Sequence, residues 1–160
     1  MKQQTAVSLF TGAGGLMLGL KRAGFKFLLA TDISEFSEKT CVKNFPDIQF
    51  IRQDIRQLTK DDFLKAIGNR HVNLVVGGLP CQGFSTLGSK LSSDPRNTLF
   101  ESFAKVVGWL APDIFVMENV QAFLTMYGGR FKELTLSRFR EIGYRVSYAT
   151  LNAADYGVPQ

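Results

Sequence analysis

Two side chains in this sequence could act together on a heterocyclic ring: the thiol of Cys81 and the carboxyl group of Glu118. Each follows a short apolar run, residues 73–76 before the cysteine and residues 114–117 before the glutamate. Such runs are typical of buried parallel strands, whose carboxyl ends meet at one edge of a sheet. We therefore expect the two groups to lie close together, where the thiolate could attack a ring and the carboxyl group could protonate it.

The elements that would position this pair alternate along the chain. Short apolar runs are separated by longer segments of helical period, which indicates an α/β fold with a doubly wound, mostly parallel sheet. Strands are predicted over residues 6–10, 27–31, 48–52, 72–76, 114–117 and 145–151. Helices are predicted over residues 16–23, 34–44, 98–110 and 130–141, and a further helix is predicted to begin at Thr59.

A nucleoside site is predicted at the ends of the first three strands. The first strand leads into a glycine-rich turn made of Phe10, Thr11, Gly12, Ala13, Gly14, Gly15 and Leu16. Asp32 ends the second strand, where a carboxylate can accept hydrogen bonds from ribose hydroxyls, and Asp54 ends the third, where it could meet an adenine amino group. Met17 occupies the place of the third glycine in a dinucleotide fingerprint, which argues against NAD.

The segment that follows Cys81 interrupts the alternating pattern. Residues 83–96 are rich in serine and glycine, so they suit neither a strand nor a stable helix. Long irregular segments inside compact domains are often functional, and this one is predicted to be a lid over the thiol.

Composition excludes several other kinds of protein. The chain has 45% hydrophobic residues and no run long enough to span a bilayer. Residues 1–5 lead directly into a short apolar run and a glycine turn, which is not the pattern of a signal peptide, so we expect an intracellular protein. Its cysteines are Cys41 and Cys81 and its histidine is His71, which are too few for a disulfide framework or a zinc site. We expect no metal. Cys41 is interpreted as a packing residue, and the net charge of +5 fits a polyanionic partner.

A cytosine ring is a substrate that needs both predicted groups. Carbon 5 of cytosine becomes nucleophilic when a thiolate adds at carbon 6 and an acid interacts with ring nitrogen 3. In their order along the chain, the glycine turn, Asp32, Asp54 and the motifs around Cys81 and Glu118 resemble the amino-terminal part of the cytosine-5 DNA methyltransferases. The motifs that carry this resemblance are Pro80-Cys81-Gln82, Arg96-Asn97-Thr98-Leu99-Phe100, Glu118-Asn119-Val120 and Tyr156-Gly157-Val158-Pro159-Gln160.

The resemblance implies a role for each matching residue. S-adenosylmethionine, which becomes S-adenosylhomocysteine, would be the cofactor on the Rossmann-like sheet. Its binding residues would be Phe10, Thr11, Gly12, Gly14, Gly15, Leu16, Asp32, Ile33, Asp54, Ile55 and Leu99. Cys81 would be the nucleophile beside Pro80, Glu118 would contact a flipped cytosine, and Asn119 would help hold the nucleophile loop. Gln82, Ser85 and Arg96 would face double-stranded DNA, in a restriction-modification context with a possible companion endonuclease.

The family pattern continues beyond the motif at residues 156–160 into a last sheet strand, a target-recognition region and a final helix. We therefore expect residues 1–160 to form a single incomplete catalytic domain, without a target-recognition domain. That domain would need the remaining segment in cis or in trans, and it would work in the cytoplasm or nucleoid if the source is a bacterium.

Alternative functions remain open at this point. A cytosine-5 methyltransferase that acts on tRNA would use the same thiol and acid. A catalytically silent S-adenosylmethionine-binding subunit is disfavoured because Cys81 and Glu118 are both present, and a nicotinamide oxidoreductase is disfavoured by Met17.

Overall fold

The computed structural model describes residues 3–80 and 97–158, and the side chains of residues 97, 98, 126 and 127 are outside this description. The chain divides into two compact units, Met1–Asn119 and Val120–Gln160. Each unit is described by itself.

The first unit contains a five-stranded sheet in which every paired strand is parallel. Its strands are β1 (Thr5–Leu9), β2 (Lys26–Asp32), β3 (Gln49–Arg52), β4 (Leu74–Gly78) and β5 (Ile114–Glu118). Their order across the sheet is β3-β2-β1-β4-β5. The chain reverses direction across the sheet at β1, so the crevice beyond the carboxyl ends of β1 and β4 is where such folds bind ligands. The predicted α/β class and the first five predicted strands are confirmed.

Within the described residues, four α-helices connect these strands: α1 (Gly15–Arg22), α2 (Glu35–Asn44), α3 (Lys60–Ile67) and α4 (Asn97–Leu110). Ser34 caps α2, because its hydroxyl accepts the amide of Ser37. Thr59 and Asp62 form a reciprocal capping box that begins α3. The helix starts predicted at Ser34 and Thr59 are thus confirmed by the capping bonds. No helix within the described ranges is long and apolar enough to cross a membrane.

Side chains from α1 and α2 form a core cluster with the sheet. Met17, Ala30, Cys41 and Phe45 are buried together in this cluster. A tilted aromatic contact of 6.2 Å between the ring centres of Phe63 and Trp109 joins α3 to α4. The helices hold the strand ends in a fixed arrangement, which is the requirement for a site built from turns.

The second unit is built around helix α5 (Arg130–Glu141). The ring of Phe123, in the short turn that precedes α5, meets the ring of Phe131 edge-on at 5.2 Å. The prediction of a helix over residues 130–141 is confirmed.

The predicted strand over residues 145–151 is wrong. These residues form no strand and pair with none of the strands that the structure describes. Tyr148 and Leu151 are 59% and 69% exposed, so neither side chain is buried in a core. An apolar pattern becomes a strand only where a neighbouring strand receives its backbone hydrogen bonds.

Candidate cofactor and catalytic site

The turn between β1 and α1 has a special backbone conformation. Phe10, Gly12 and Gly14 have φ angles of 51°, 55° and 88°. A positive φ is unusual for a phenylalanine and costs conformational energy, so the surrounding structure must impose it. Such strain is found preferentially at ligand sites, and it lies here in the predicted cofactor turn.

Thr11 fixes the start of this turn to the sheet. Its amide donates to the carbonyl oxygen of Thr31 at 3.1 Å, which extends the pairing of β1 with β2. Its buried hydroxyl donates to Ser8 Oγ at 3.0 Å. The turn is therefore anchored by β1 and β2 together.

Gly14 could not be replaced by a larger residue without displacing its neighbours. A Cβ atom at this position would lie 2.7 Å from Cε2 of Phe45 and 3.6 Å from Sγ of Cys41. Phe45 is only 6% exposed and is packed in the core cluster. The turn thus rests directly on buried side chains, which restrict its movement.

Asp32 joins the glycine turn to the end of β2. Its Oδ2 accepts the amide of Gly12 at 2.8 Å, and its Oδ1 accepts the amide of Ser34 at 2.9 Å. A carboxylate has about four acceptor positions, so each oxygen keeps the capacity to accept a further hydrogen bond. Ile33, the next residue, is 68% exposed at the same strand end and offers an apolar surface there.

Asp54 lies beyond β3 and caps the short turn Ile55–Gln57. The Arg56 side chain forms a two-point ion pair with Asp54, with Nε at 2.9 Å from Oδ1. These hydrogen bonds from Arg56 hold the pKa of Asp54 below its usual range. Ile55 is buried beside it, so a charged acceptor and an apolar side chain adjoin at this strand end.

Two glycines make space at the ends of β4 and β5. A Cβ on Gly77 would lie 2.5 Å from the carbonyl oxygen of Leu9, so the glycine allows β4 to approach β1 closely. Gly78 is paired in register with Glu118, and a Cβ on Gly78 would lie 2.8 Å from Glu118 Oε2. The Glu118 carboxylate therefore lies against the last residue of β4, three residues before Cys81 in the sequence.

The structure brings some of the predicted residues together directly. Gly12 and Asp32 are hydrogen-bonded, and Asp54 follows Gln53, whose amide donates to the Asp32 carbonyl oxygen at 3.1 Å. Pro80 is exposed after β4, while Leu99 in α4 and Asn119 after β5 are half-buried. Cys81, Gln82, Ser85 and Arg96 lie outside the described residues, as does the predicted lid over residues 83–96.

Sequence reasoning did not identify the roles of Gly77, Gly78 and Phe45. Adjacent glycines at the end of an apolar run were the available signal, because glycine inside a strand often marks a close approach. Phe45 had no such signal, since its contact with the Gly14 turn depends on tertiary packing.

The other cysteine, Cys41, is a core residue. Its side chain is fully buried, and its Sγ lies 3.9 Å from Met17 Sδ. Burial, with a smaller effect of the Asp32 charge, raises the pKa of the Cys41 thiol. Its interpretation as a packing residue is confirmed, because a buried thiol with a raised pKa is a poor nucleophile.

The sheet order and the turn after β1 define a doubly wound α/β domain with a ligand crevice at its switch point. The chain matches the model of the C-5 cytosine-specific DNA methylases over residues 4–160, and it belongs to that family. The resemblance found in the sequence is thereby confirmed.

Individual relatives agree with this family. The chain is 45% identical over 159 residues to the type II methyltransferase M1.HphI of Haemophilus parahaemolyticus, covering 98% of this chain and 43% of the relative. It is 38% identical over 164 residues to M.XorII of Xanthomonas oryzae, covering 100% of this chain and 39% of that protein. This chain thus spans about two fifths of the length of these two curated relatives.

A solved structure supports the fold. It is of an E. coli protein described as a DNA modification methyltransferase encoded within a prophage, with a TM-score of 0.74 and 29% identity. The match covers 86% of this chain and 38% of that one.

Proposed function

We propose that residues 1–160 form a single incomplete catalytic domain of a DNA (cytosine-5-)-methyltransferase, comprising the cofactor-binding half and the nucleophile loop. The observation that carries this proposal is the hydrogen bond from Gly12 to Asp32, which ties a strained glycine turn to the next strand end in a chain of this family. The remaining strand and the target-recognition region belong to a further segment, in cis or in trans.

The cofactor in this proposal is S-adenosylmethionine, which supplies the methyl group when it is bound. Asp32 would accept hydrogen bonds from the ribose hydroxyls, and Asp54 would accept one from the adenine amino group. Phe10 would give the base an apolar face, and the glycine turn would let backbone amides approach the ligand. The remaining contacts are assigned to Phe10, Thr11, Gly12, Gly14, Gly15, Leu16, Ile33, Ile55 and Leu99.

The reaction uses Cys81 and Glu118 on a cytosine that has left the base stack. The Cys81 thiolate would add to carbon 6 while Glu118 interacts with nitrogen 3, so electron density increases at carbon 5. Carbon 5 would then bond to the methyl carbon as the methyl–sulfur bond breaks and leaves its electron pair on the sulfur of S-adenosylhomocysteine. Transfer of the carbon 5 proton to water would form the carbon 5–carbon 6 double bond, expel the Cys81 thiolate and restore the aromatic ring. The space at Gly78 supports this role, because it lets the Glu118 carboxylate lie against the last residue of β4, three residues before Cys81 in the sequence.

The polymer in this proposal is double-stranded DNA. Gln82, Ser85 and Arg96 contact it, Pro80 orients the nucleophile, and Asn119 helps hold the nucleophile loop. A restriction-modification context with a companion endonuclease is proposed because the relatives are type II methyltransferases. A DNA substrate also implies that the protein works inside the cell.

Covalent trapping tests the catalytic assignment. Duplex DNA with 5-fluorocytosine at the target should form a stable adduct with the full protein and S-adenosylmethionine, because fluorine at carbon 5 cannot leave as a proton does. Cys81→Ser should form no adduct, whereas Cys41→Ala, the matched control, should still form it. Adduct formation by Cys81→Ser would exclude Cys81 as the nucleophile. In a separate assay of the full protein, methylation of tRNA in place of duplex DNA would favour the alternative of a tRNA cytosine-5 methyltransferase.

A further inference from the structure

The short turn after β3 contains an interaction that the sequence motifs do not assign. Asp54 Oδ1 accepts the Arg56 amide at 2.9 Å. The Arg56 guanidinium returns to the same carboxylate, with Nε at 2.9 Å from Oδ1 and 3.0 Å from Oδ2, and Nη2 bonded to Oδ2. One residue therefore contacts Asp54 through both its backbone and its side chain.

These bonds occupy most of the acceptor capacity of Asp54. An ionised carboxylate offers about four lone-pair positions, two on each oxygen. Asp54 accepts hydrogen bonds from three donors within the described residues, and all three belong to Arg56: its amide, Nε and Nη2. Nε is shared between the two oxygens, and each oxygen also accepts one donor of its own, the amide on Oδ1 and Nη2 on Oδ2, so about one of the four positions remains for a further donor.

The remaining position is suited to a donor on an aromatic ring. The Asp54 side chain is 15% exposed, whereas that of Arg56 is 48% exposed, so the carboxylate is the more shielded member of the pair. Ile55, which is 6% exposed, adjoins it. A carboxylate paired with a guanidinium accepts hydrogen bonds only, so an amino group fits this position and a carbonyl oxygen is repelled.

We infer that Arg56 is a positioning residue that orients the Asp54 carboxylate so that its free acceptor position receives the adenine amino group. The inference rests on the proposed function, because it takes the adenosine part of the cofactor as the ligand. Arg56 touches the ligand only through Asp54. Its effect is therefore confined to ligands that carry the amino group.

The test compares two ligands of the full protein by calorimetry. S-adenosylhomocysteine carries the 6-amino group, and its purine analogue with hydrogen at position 6 cannot bond to Asp54. The wild type should bind the amino ligand about tenfold more tightly, as expected for one hydrogen bond to a charged acceptor. Arg56→Gln should reduce this ratio to about threefold or less, through weaker binding of the amino ligand alone.

Lys60→Gln is the matched control. It removes one positive charge from the same cavity of about 230 Å³ that Arg56 lines, without touching Asp54. It should keep the tenfold ratio. If Arg56 had only a general structural effect, Arg56→Gln would weaken the binding of both ligands equally, and that result would overturn the inference. An unchanged affinity ratio in Arg56→Gln would overturn it as well. If the wild type bound neither ligand, the proposed function would fail together with the inference.

Discussion

Gly78→Ala should reduce catalysis without reducing stability. The new Cβ would lie 2.8 Å from Glu118 Oε2, whereas ordinary contact begins at 3.4 Å, so the carboxylate must move by about 0.6 Å. That oxygen is the far end of an exposed side chain, so it can move without disturbing the core. Misplacement of a reacting group by ~1 Å can cost about a hundredfold in rate, so we expect a loss of about tenfold in kcat.

The stability of Gly78→Ala should remain close to that of the wild type. Gly78 does not have a positive φ, so alanine is compatible with its backbone, and the substitution also reduces the entropy of the unfolded chain. The free energy of unfolding should therefore change by less than about 1 kcal/mol. The KM for S-adenosylmethionine should not change, because the cofactor turn and Asp32 are untouched.

Gly77→Ala is the matched comparison, because it adds the same methyl group one residue earlier. Its Cβ would lie 2.5 Å from the Leu9 carbonyl oxygen and 3.2 Å from Phe103 Cε2. Backbone and buried rings cannot move freely, so this variant should lose about 1–3 kcal/mol of unfolding free energy. Urea unfolding and steady-state methylation of duplex DNA by the full protein would separate the two variants. Wild-type kcat in Gly78→Ala, or equal destabilisation of both variants, would refute the reasoning.

Three further predictions concern the rest of the first unit. Gly14→Ala should weaken S-adenosylmethionine binding, measured by calorimetry, and lower the unfolding temperature. Alanine disfavours the φ of 88°, and its Cβ would lie 2.7 Å from Phe45 Cε2. Unchanged binding would contradict this prediction. Cys41 should resist iodoacetamide at neutral pH in the folded protein and react after unfolding, as mass spectrometry can show, because burial raises the pKa of its thiol. Hydrogen bonds from Asn73 and, to a smaller extent, from His71 lower the pKa of Asp113 in the folded protein. The ionised carboxylate should therefore stabilise the protein at pH values above its unfolded pKa of about 3.9. This stabilisation should be lost as the pH falls through the lower pKa of the folded state. Urea unfolding of wild type and Asp113→Asn should therefore converge in acid, and a constant difference would contradict the prediction.

Much of the fold was predictable because local and global signals agree in it. Ser34 and Thr59 stand where helices need caps, and the capping bonds form there. The first five apolar runs pair with one another as parallel strands, so each run receives the neighbour that a strand requires. Residues 145–151 have a comparable apolar pattern but form no strand. Among the described residues, no strand pairs with this segment to receive its backbone hydrogen bonds.

The candidate site was predictable to a different extent. The sequence by itself determined which groups stand at the strand ends: the glycine turn, Asp32, Asp54 and Glu118. Those residue types belong to a known order of motifs, and the family comparison agrees with it. Their positions at strand ends could be predicted from the local sequence, because each group directly follows an apolar run or a turn.

Only the tertiary structure decided how these groups are held. Phe10 takes a positive φ, the amide of Gly12 reaches Asp32, and Phe45 closes the space beneath Gly14. Gly78 leaves room for the Glu118 carboxylate because the pairing of β4 with β5 places the two residues side by side. These relations depend on distances between segments that are far apart in the chain, and such distances exist only after the strands have paired and the helices have packed.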